Sequence, residues 1–190
     1  MTPAPRYDEG TMDEQFSAAE LATRTGRPLE WILDRPDVAS RLRREPPDRV
    51  LVLGCEDGRE VVDLAAAFPN ITVYGIDDDQ AKVEEASTRF HRSSVRDRVL
   101  CQWGSPTYPR MAANFDLVIA VGVLTRPDHP VDTTDTQMLG VLARLLGDEG
   151  LAILDTCAPL SVEDAKDAGF YRIELVGQSQ HTCPAYLLRR

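Results

Sequence analysis

The segment RVLVLGCEDG, residues 49–58, carries the clearest structural pattern in this chain. Its apolar run from Val50 to Leu53 is typical of a buried strand, and it ends at Gly54 and Gly58 before a helical pattern begins. The pattern predicts a strand that passes through a tight glycine turn into a helix. Such a turn directs backbone N–H groups and the positive end of a helix dipole towards one point beyond the strand. We therefore expect a ligand site at this turn.

A second apolar run, Ile71 to Ile76, ends at Asp77. A nucleotide-binding α/β unit places its ribose-binding carboxylate at about this distance from the glycine turn. We expect Asp77 at an exposed strand end, where its two oxygens accept hydrogen bonds from both ribose hydroxyls. In the alternative interpretation an aspartate of this group caps the next helix, and the neighbouring Asp78 and Asp79 offer the same chemistry.

The glycine spacing distinguishes between kinds of nucleoside. A dinucleotide fingerprint, G-x-G-x-x-G, lets the backbone approach a pyrophosphate closely. Here Gly54 is followed by Cys55, Glu56 and Asp57 before Gly58. The sequence therefore predicts no pyrophosphate clamp, which disfavours an NAD-dependent oxidoreductase.

The rest of the chain alternates strands with helices. Apolar runs predict strands at Val99–Trp103, Phe115–Val121 and Leu151–Leu154, and periodic segments predict helices after Gly58, after a cap at Asp79, and from Met138 to Leu145. A turn is predicted from Gly147 to Gly150, just before the fifth strand. Strands that alternate with helices form a parallel sheet covered on both faces.

The last segment of the chain departs from this alternation. Ser161 and Asp164 cap a short helix that ends at Gly169. The strand-like runs Tyr171–Val176 and Ala185–Leu188 then follow with no helix between them. We expect these two strands to form an antiparallel pair.

Residues 49–190 resemble the class I S-adenosylmethionine (SAM) dependent methyltransferases. The glycine turn is similar to motif I of that family, FDLVIAVGVL at 115–124 to motif IV, and LARLLGDEGLAIL at 142–154 to the segment that leads into strand five. The terminal strand pair also fits the family, whereas an NAD-binding half-domain continues with crossover helices. The resemblance implies an α/β, Rossmann-like sheet of seven strands that is mostly parallel and ends in an antiparallel hairpin.

The resemblance also implies the cofactor, SAM, and the residues that bind it. These are Gly54, Cys55, Glu56, Gly58, Asp77, Asp78, Gly104, Ser105 and Val121. Three positions depart from the family pattern: Val52 and Ser105 replace acidic residues, and Glu56 replaces the middle glycine of motif I. These departures support an alternative function, a non-catalytic protein of this fold that binds SAM or another nucleoside in a regulatory or assembly role.

Our main prediction is an enzyme that transfers a methyl group to an oxygen or nitrogen atom of a small molecule. Methyl transfer from a sulfonium is an in-line displacement that needs positioning and exclusion of water more than a dedicated base. The segment 122–132, after the fourth strand, contains His129, which we predict as the catalytic base because imidazole titrates near neutral pH. The alternative is a solvated loop histidine.

Composition limits the partners and the compartment. The net charge of -10 disfavours nucleic acid, because affinity for nucleic acid depends on clustered basic residues. The four cysteines contain no C-x-x-C pair and are predicted to be reduced thiols, and we predict no metal site. Residues 1–10 lack the features of a signal peptide, and no apolar run is long enough to span a membrane. These features predict a cytoplasmic protein.

Residues 1–48 are predicted to form an N-terminal tail and helical cap in front of the domain at 49–190. Helical segments are expected at Leu29–Leu33 and Asp37–Arg44, separated by Pro36. Two interpretations of this cap remain open. It either lies over the cofactor and substrate pocket or covers one face of the sheet.

Overall fold

The computed structural model of the chain describes residues 26–43, 48–111, 114–124, 134–156, 159–179 and 182–190. Within these residues one sheet of seven strands has the order β3-β2-β1-β4-β5-β7-β6. The strands are β1 Arg49–Leu53, β2 Thr72–Asp77, β3 Val99–Trp103, β4 Phe115–Ala120, β5 Leu146–Asp155, β6 Arg172–Gln178 and β7 Pro184–Arg189. Strands β1 to β5 pair in parallel, and β7 is antiparallel to both of its neighbours, β5 and β6. The predicted sheet with its terminal antiparallel pair is confirmed.

Helices cover both faces of this sheet. They are α1 Pro28–Leu33, α2 Pro36–Arg41, α3 Arg59–Ala67, α4 Gln80–Arg92, α5 Asp135–Leu145 and α6 Val162–Asp167. The first four pack with Val50 and Val52 of β1, whereas α5 and α6 pack with Leu51 and Leu53 on the opposite face. The central strand is thus buried on both faces, which explains its continuous apolar run. In the described parts of the chain, no helix has the length and apolarity that crossing a membrane requires.

The helix ends follow the capping residues predicted from the sequence. The Asp79 carboxylate accepts hydrogen bonds from the backbone N–H groups of Ala81 (2.9 Å) and Lys82 (3.3 Å) at the start of α4. The Ser161 hydroxyl accepts from the Asp164 N–H (3.2 Å) at the start of α6. Asp79, and not Asp77, is therefore the N-cap of α4.

The predicted turn from Gly147 to Gly150 falls within the bounds of β5, Leu146–Asp155. Phe115 of β4 pairs with Leu146, and the next pair along β4 joins Leu117 to Leu151, so the segment between Leu146 and Leu151 is not paired with β4. A Cβ atom on Gly150 would lie 2.7 Å from the Cβ of Leu146 and 3.0 Å from the carbonyl oxygen of Gly147, so the chain turns back on itself here. The strand thus begins earlier than predicted, at Leu146, and the turn is an irregularity inside it.

Helix α2 and the segments around it are tied to the C-terminal hairpin. Arg35 forms an ion pair with Glu174 of β6 (2.6 Å), and Arg189 of β7 pairs with Glu174 (2.8 Å) and with Asp37 (2.5 Å). The Gly26 N–H donates to the carbonyl at the end of β6 (3.0 Å). The polypeptide just before α1 is therefore positioned by the hairpin.

Candidate active site

A cleft of about 280 Å³ opens at the carboxyl ends of β1 and β4. Its volume lies near the lower end of the range for ligand pockets. The walls come from the segment before α1, from the loop between β1 and α3, from α4, and from the end of β4. The lining residues are Gly26, Arg27, Pro28, Val52, Gly54, Cys55, Glu56, Asp57, Arg59, Glu60, Lys82, Ile119, Val121 and Gly122. Four of the predicted cofactor-binding residues, Gly54, Cys55, Glu56 and Val121, thus lie together in one cleft.

The loop between β1 and α3 is wound by residues in left-handed conformation. Gly54, Glu56 and Gly58 have φ values of 69°, 47° and 73°. The N–H groups of Gly54 (2.8 Å) and Cys55 (3.1 Å) both donate to the carbonyl of Ile76 on β2. These bonds fix the start of the loop against the neighbouring strand, beside the cleft.

Gly58 has a packing role. A Cβ atom at this position would lie 2.6 Å from the Phe90 ring and 2.7 Å from the Cβ of Ala86, both in α4. Such distances are shorter than van der Waals contact, so only glycine lets the start of α3 approach α4 this closely. Gly58 does not line the cleft.

Glu56 occupies the position of the middle glycine of motif I and adopts the same left-handed backbone. This conformation costs a residue with a Cβ atom about 1 kcal/mol. Glu56 is exposed and is one of the residues that line the cleft. The cleft also contains the acidic residues Asp57 and Glu60, and three basic residues, Arg27, Arg59 and Lys82. Charges of both signs therefore surround the position of Glu56.

Asp77 is fully buried, so the expectation of an exposed carboxylate at this position is wrong. Its Oδ2 accepts a hydrogen bond from the Glu56 N–H (2.8 Å), and its Oδ1 accepts one from the Asp79 N–H (3.0 Å). The loop after β1 covers the end of β2, which no pattern in the sequence indicated. Asp77 therefore holds the left-handed residue of the glycine loop in place. The next residue, Asp78, is exposed.

Gly104 and Ser105 follow β3 and do not line the cleft. The Gly104 N–H donates to the carbonyl of Asp77 (2.9 Å). The Ser105 hydroxyl lies 3.0 Å from the hydroxyl of Thr107 and accepts from the Tyr108 N–H (3.3 Å). Both residues are thus beside Asp77, on the side of β2 away from β1.

A second buried aspartate, which our sequence analysis missed, lies at the other side of the cleft. Asp155 ends β5, is fully buried, and accepts a hydrogen bond from the Gly122 N–H (2.8 Å) through its Oδ1. Gly122 has a φ of 77° and lines the cleft. The signal was present, because Asp155 ends an apolar run as Asp77 does. Asp155 holds the loop after β4.

Asp135, at the start of α5, is close to this second aspartate. Burial raises the pKa of the Asp135 carboxyl group, and the charge of Asp155 raises it further, while a hydrogen bond with Thr156 opposes both effects. The carboxyl groups of Asp135 and Asp155 therefore interact with one another behind the loop at Gly122.

The segment Gly26–Pro28 lines the cleft, in line with the interpretation that the N-terminal cap lies over the pocket, although the sequence singled out none of its residues. It is attached to α3 by the Leu29 N–H, which donates to Oε1 of Glu60 (3.0 Å), and by an ion pair between Arg27 and Asp63 (3.4 Å). Burial raises the pKa of Glu60. These contacts join residues far apart in the sequence, and no local pattern reveals them. The predicted base, His129, lies outside the described residues.

Comparisons with known proteins identify relatives of the chain. The sequence profile of a family described as "Methyltransferase domain" matches residues 51–152. Trans-aconitate 2-methyltransferase of Methylobacterium radiotolerans is 31% identical over 108 residues, which cover 56% of this chain and 38% of that enzyme. Polyketide synthase ThaQ of Burkholderia thailandensis is 28% identical over 135 residues, which cover 71% of this chain and 6% of the synthase. The chain thus spans well under half the length of these curated relatives.

A solved structure shows the same fold. The crystal structure of a candidate O-methyltransferase from Nostoc punctiforme superposes with a TM-score of 0.61 at 20% sequence identity. The match covers 84% of this chain and 56% of that one.

Proposed function

This chain belongs to the class I SAM-dependent methyltransferase family, whose cofactor is SAM, and we propose that it transfers a methyl group from SAM to an oxygen or nitrogen atom of a low-molecular-weight acceptor. The family, the fold and the cofactor predicted from the sequence are confirmed. The acceptor and the activity of the whole protein are our proposal.

The observation that carries the proposal is the cleft between the ends of β1 and β4, with its wall of left-handed residues. The fit to SAM rests on two features. Gly54 and Cys55 of the glycine loop line the cleft, and the lining contains charges of both signs, which suits a ligand with an ammonium, a sulfonium and a carboxylate group. We assign the amino-acid half of SAM to the Gly54–Arg59 loop, and its adenosine half to the strand ends at Asp78, Gly104 and Ser105.

When bound, SAM supplies an electrophilic methyl carbon on a sulfonium. The task of the protein is then to align an acceptor atom behind that carbon and to exclude water. Val121 and Gly122, after the end of β4, line the cleft together with the Gly54–Arg59 loop, which we call the cofactor loop. We therefore assign the methyl acceptor to this side of the cleft. For a hydroxyl or ammonium acceptor we propose His129 as the group that removes the proton.

Three observations support a small acceptor. The net charge of -10 opposes binding to a polyanion. The cleft is small, at about 280 Å³. One relative is named for trans-aconitate and one structural neighbour for transfer to oxygen, so oxygen acceptors are the first to test.

We place this reaction in the cytoplasm, as the composition of the sequence predicts.

The experiment has two stages. Isothermal titration with SAM and S-adenosylhomocysteine tests the cofactor, and each ligand at about a hundred times its dissociation constant should stabilise the fold by about 2.7 kcal/mol. Transfer from methyl-labelled SAM is then measured on a panel of carboxylic acids, including trans-aconitate, and of alcohols and amines. Absence of binding at millimolar SAM would refute the proposal, and transfer to nucleic acid alone would refute the acceptor class.

The second candidate function is SAM binding without catalysis. Glu56 favours it, because a carboxylate side chain stands at the wall of the cleft where the family has glycine. Tight binding of SAM combined with no labelled product from any acceptor of the panel would favour this candidate over the enzyme.

A further inference from the structure

Two cysteines that are far apart in the sequence meet beside the cleft. The sulfur atoms of Cys55 and Cys101 lie 3.0 Å apart, and both residues are free thiols. Cys55 belongs to the cofactor loop and is 4% exposed, whereas Cys101 lies on β3 and is partly exposed. The pair therefore joins the wall of the cleft to a neighbouring strand that solvent reaches.

Gly75, in the middle of β2, makes room for this pair. A Cβ atom on Gly75 would lie 2.7 Å from the sulfur of Cys55 and 3.3 Å from that of Cys101. Gly75 pairs with Cys101 on one side and with Val52 on the other, so it separates the strands from which the two thiols come. Glycine inside a strand is unfavourable, and here it creates the slot in which the sulfurs meet.

We propose that Cys55 and Cys101 form a reversible disulfide, with hydrogen peroxide as the oxidant, and that this bond lowers the affinity of the cleft for SAM. The effect on SAM rests on the proposed function, whereas the disulfide itself does not. The Cys101 thiolate attacks peroxide, which gives a sulfenic acid and hydroxide. The Cys55 sulfur then attacks that sulfur while its thiol proton passes to the departing hydroxide, so the S–S bond forms as the S–O bond breaks and one water leaves. The sum is two thiols and one peroxide converted to one disulfide and two waters, and a small dithiol reverses it by exchange.

The surroundings of the two thiols favour this order of events. A hydrogen bond from Cys55 lowers the pKa of Cys101, since the Cys101 sulfur is the acceptor. The same hydrogen bond raises the pKa of Cys55, and burial and the charge of Asp77 raise it further. The thiol that solvent reaches is thus also the one that ionises first, and the buried thiol is placed to resolve the sulfenic acid.

The disulfide acts on the cleft through the cofactor loop. A disulfide bond is about 2.05 Å long, so the sulfurs must approach by about 1 Å from their separation of 3.0 Å. Cys101 is fixed in the β3 ladder, so most of the shift falls on the loop. The residues on either side of Cys55 are held by hydrogen bonds to Ile76 and Asp77. Movement of Cys55 towards β3 therefore distorts the backbone that we assign to SAM.

The test uses the full chain in which Cys157 and Cys183 are replaced by serine, so that Cys55 and Cys101 are the remaining thiols. The protein is treated with hydrogen peroxide, and intact mass and peptide mapping are recorded without reductant. We expect loss of two hydrogen atoms, a Cys55–Cys101 cross-linked peptide, and SAM affinity that falls by about tenfold or more on titration. Dithiothreitol should restore both the mass and the affinity.

The matched control is Cys101→Ser in the same background. We expect its SAM affinity to equal that of the reduced parent and to be unchanged by brief peroxide treatment. Oxidation of the parent that gives no cross-linked peptide would overturn the proposed disulfide. A cross-linked protein that binds SAM within twofold of the reduced form would overturn the proposed effect on SAM affinity. A reduced protein that binds no SAM would refute the proposed function and the regulation together, while the mass spectrum would still decide the disulfide.

Discussion

The two loops that flank the cleft are held in the same way. At the end of β2, Asp77 accepts a hydrogen bond from the N–H of Glu56, in the loop after β1. At the end of β5, Asp155 accepts one from the N–H of Gly122, in the loop after β4. Both aspartates are fully buried, and both loop residues have a left-handed backbone. The loop after β1 is thus fixed by the aspartate at the end of β2, and the loop after β4 by the aspartate at the end of β5.

The two sides differ in the residue that adopts the left-handed conformation. On the β4 side it is Gly122, for which that conformation carries no steric cost, and on the β1 side it is Glu56. A charge-assisted hydrogen bond from a backbone N–H to a buried carboxylate stabilises the loop by more than the conformational cost of about 1 kcal/mol. Motif I can therefore lose its middle glycine when a carboxylate below the loop holds the backbone. Substitutions in the two loops and in their aspartates test whether the two sides are equivalent.

Asp77→Ala should have the largest effect. It leaves two backbone N–H groups without their acceptor, and we expect the free energy of unfolding to fall by about 3 kcal/mol, measured by urea titration. SAM affinity, measured by isothermal titration, should fall by about tenfold or more because the Glu56 backbone is released. Asp78→Ala, at the exposed neighbouring residue, is the control for stability and should change it by less than about 0.5 kcal/mol. Wild-type affinity in Asp77→Ala would mean that the loop keeps its shape without the carboxylate.

Asp155→Ala should destabilise the protein by about 2 kcal/mol, since the buried Gly122 N–H loses its acceptor. Gly122 lies on the side of the cleft that we assign to the acceptor, so the rate of methyl transfer should fall more than the affinity for SAM. Single-turnover transfer and SAM titration on the same preparation separate the two. Loss of SAM affinity as large as in Asp77→Ala would show that the two sides of the cleft are not separate in function.

Glu56→Gly removes the side chain from a left-handed residue. We expect stability to rise by about 1 kcal/mol in urea titration, because the steric cost disappears. SAM affinity should change by less than about tenfold, or roughly 1.4 kcal/mol, because charges of both signs line this cleft. Gly122→Ala is the reciprocal variant and should lose stability. An affinity gain of about a hundredfold in Glu56→Gly would indicate that the glutamate blocks the site and would favour the non-catalytic candidate.

Glu60→Gln should have the smallest effect, and it should depend on pH. Burial raises the pKa of Glu60 above its usual value of 4.5, so the folded state binds this proton more tightly than the unfolded state does. The stability that this proton provides is present below pH 4.5 and is lost as the pH rises through the folded pKa. The variant should therefore gain stability relative to wild type as the pH rises from 4.5 to 7, measured by urea titration at each pH. An equal difference at every pH would contradict this origin.

Most of the fold could be predicted because its signals are local. Apolar runs located all seven strands, and residues such as Asp79 and Ser161 located helix starts, since a strand or a cap is encoded within a few residues. The early start of β5 could not be predicted, because Leu146 joins the sheet through its pairing with Phe115 of β4, far away in the sequence, and is separated from the rest of β5 by the turn at Gly147–Gly150.

The site was predictable only where a motif spans it. The glycine turn indicated Gly54, Cys55 and Glu56, which line the cleft. The burial of Asp77 depends on the path of a loop 21 residues earlier, and the contact between Cys55 and Cys101 joins positions 46 residues apart. Such contacts follow from the order of strands in the sheet and leave no trace in either segment alone.

The hydrogen bond from Gly26 to the end of β6 has a consequence for the time at which the site forms during synthesis. Gly26 is part of the wall of the cleft, but the strand that fixes it ends at Gln178. A nascent chain that has emerged only as far as β5 can already contain the glycine turn and both aspartates. It still lacks the strand that fixes Gly26 at the wall. On a ribosome the wall of the cleft that we assign to SAM is therefore complete only after the hairpin has folded.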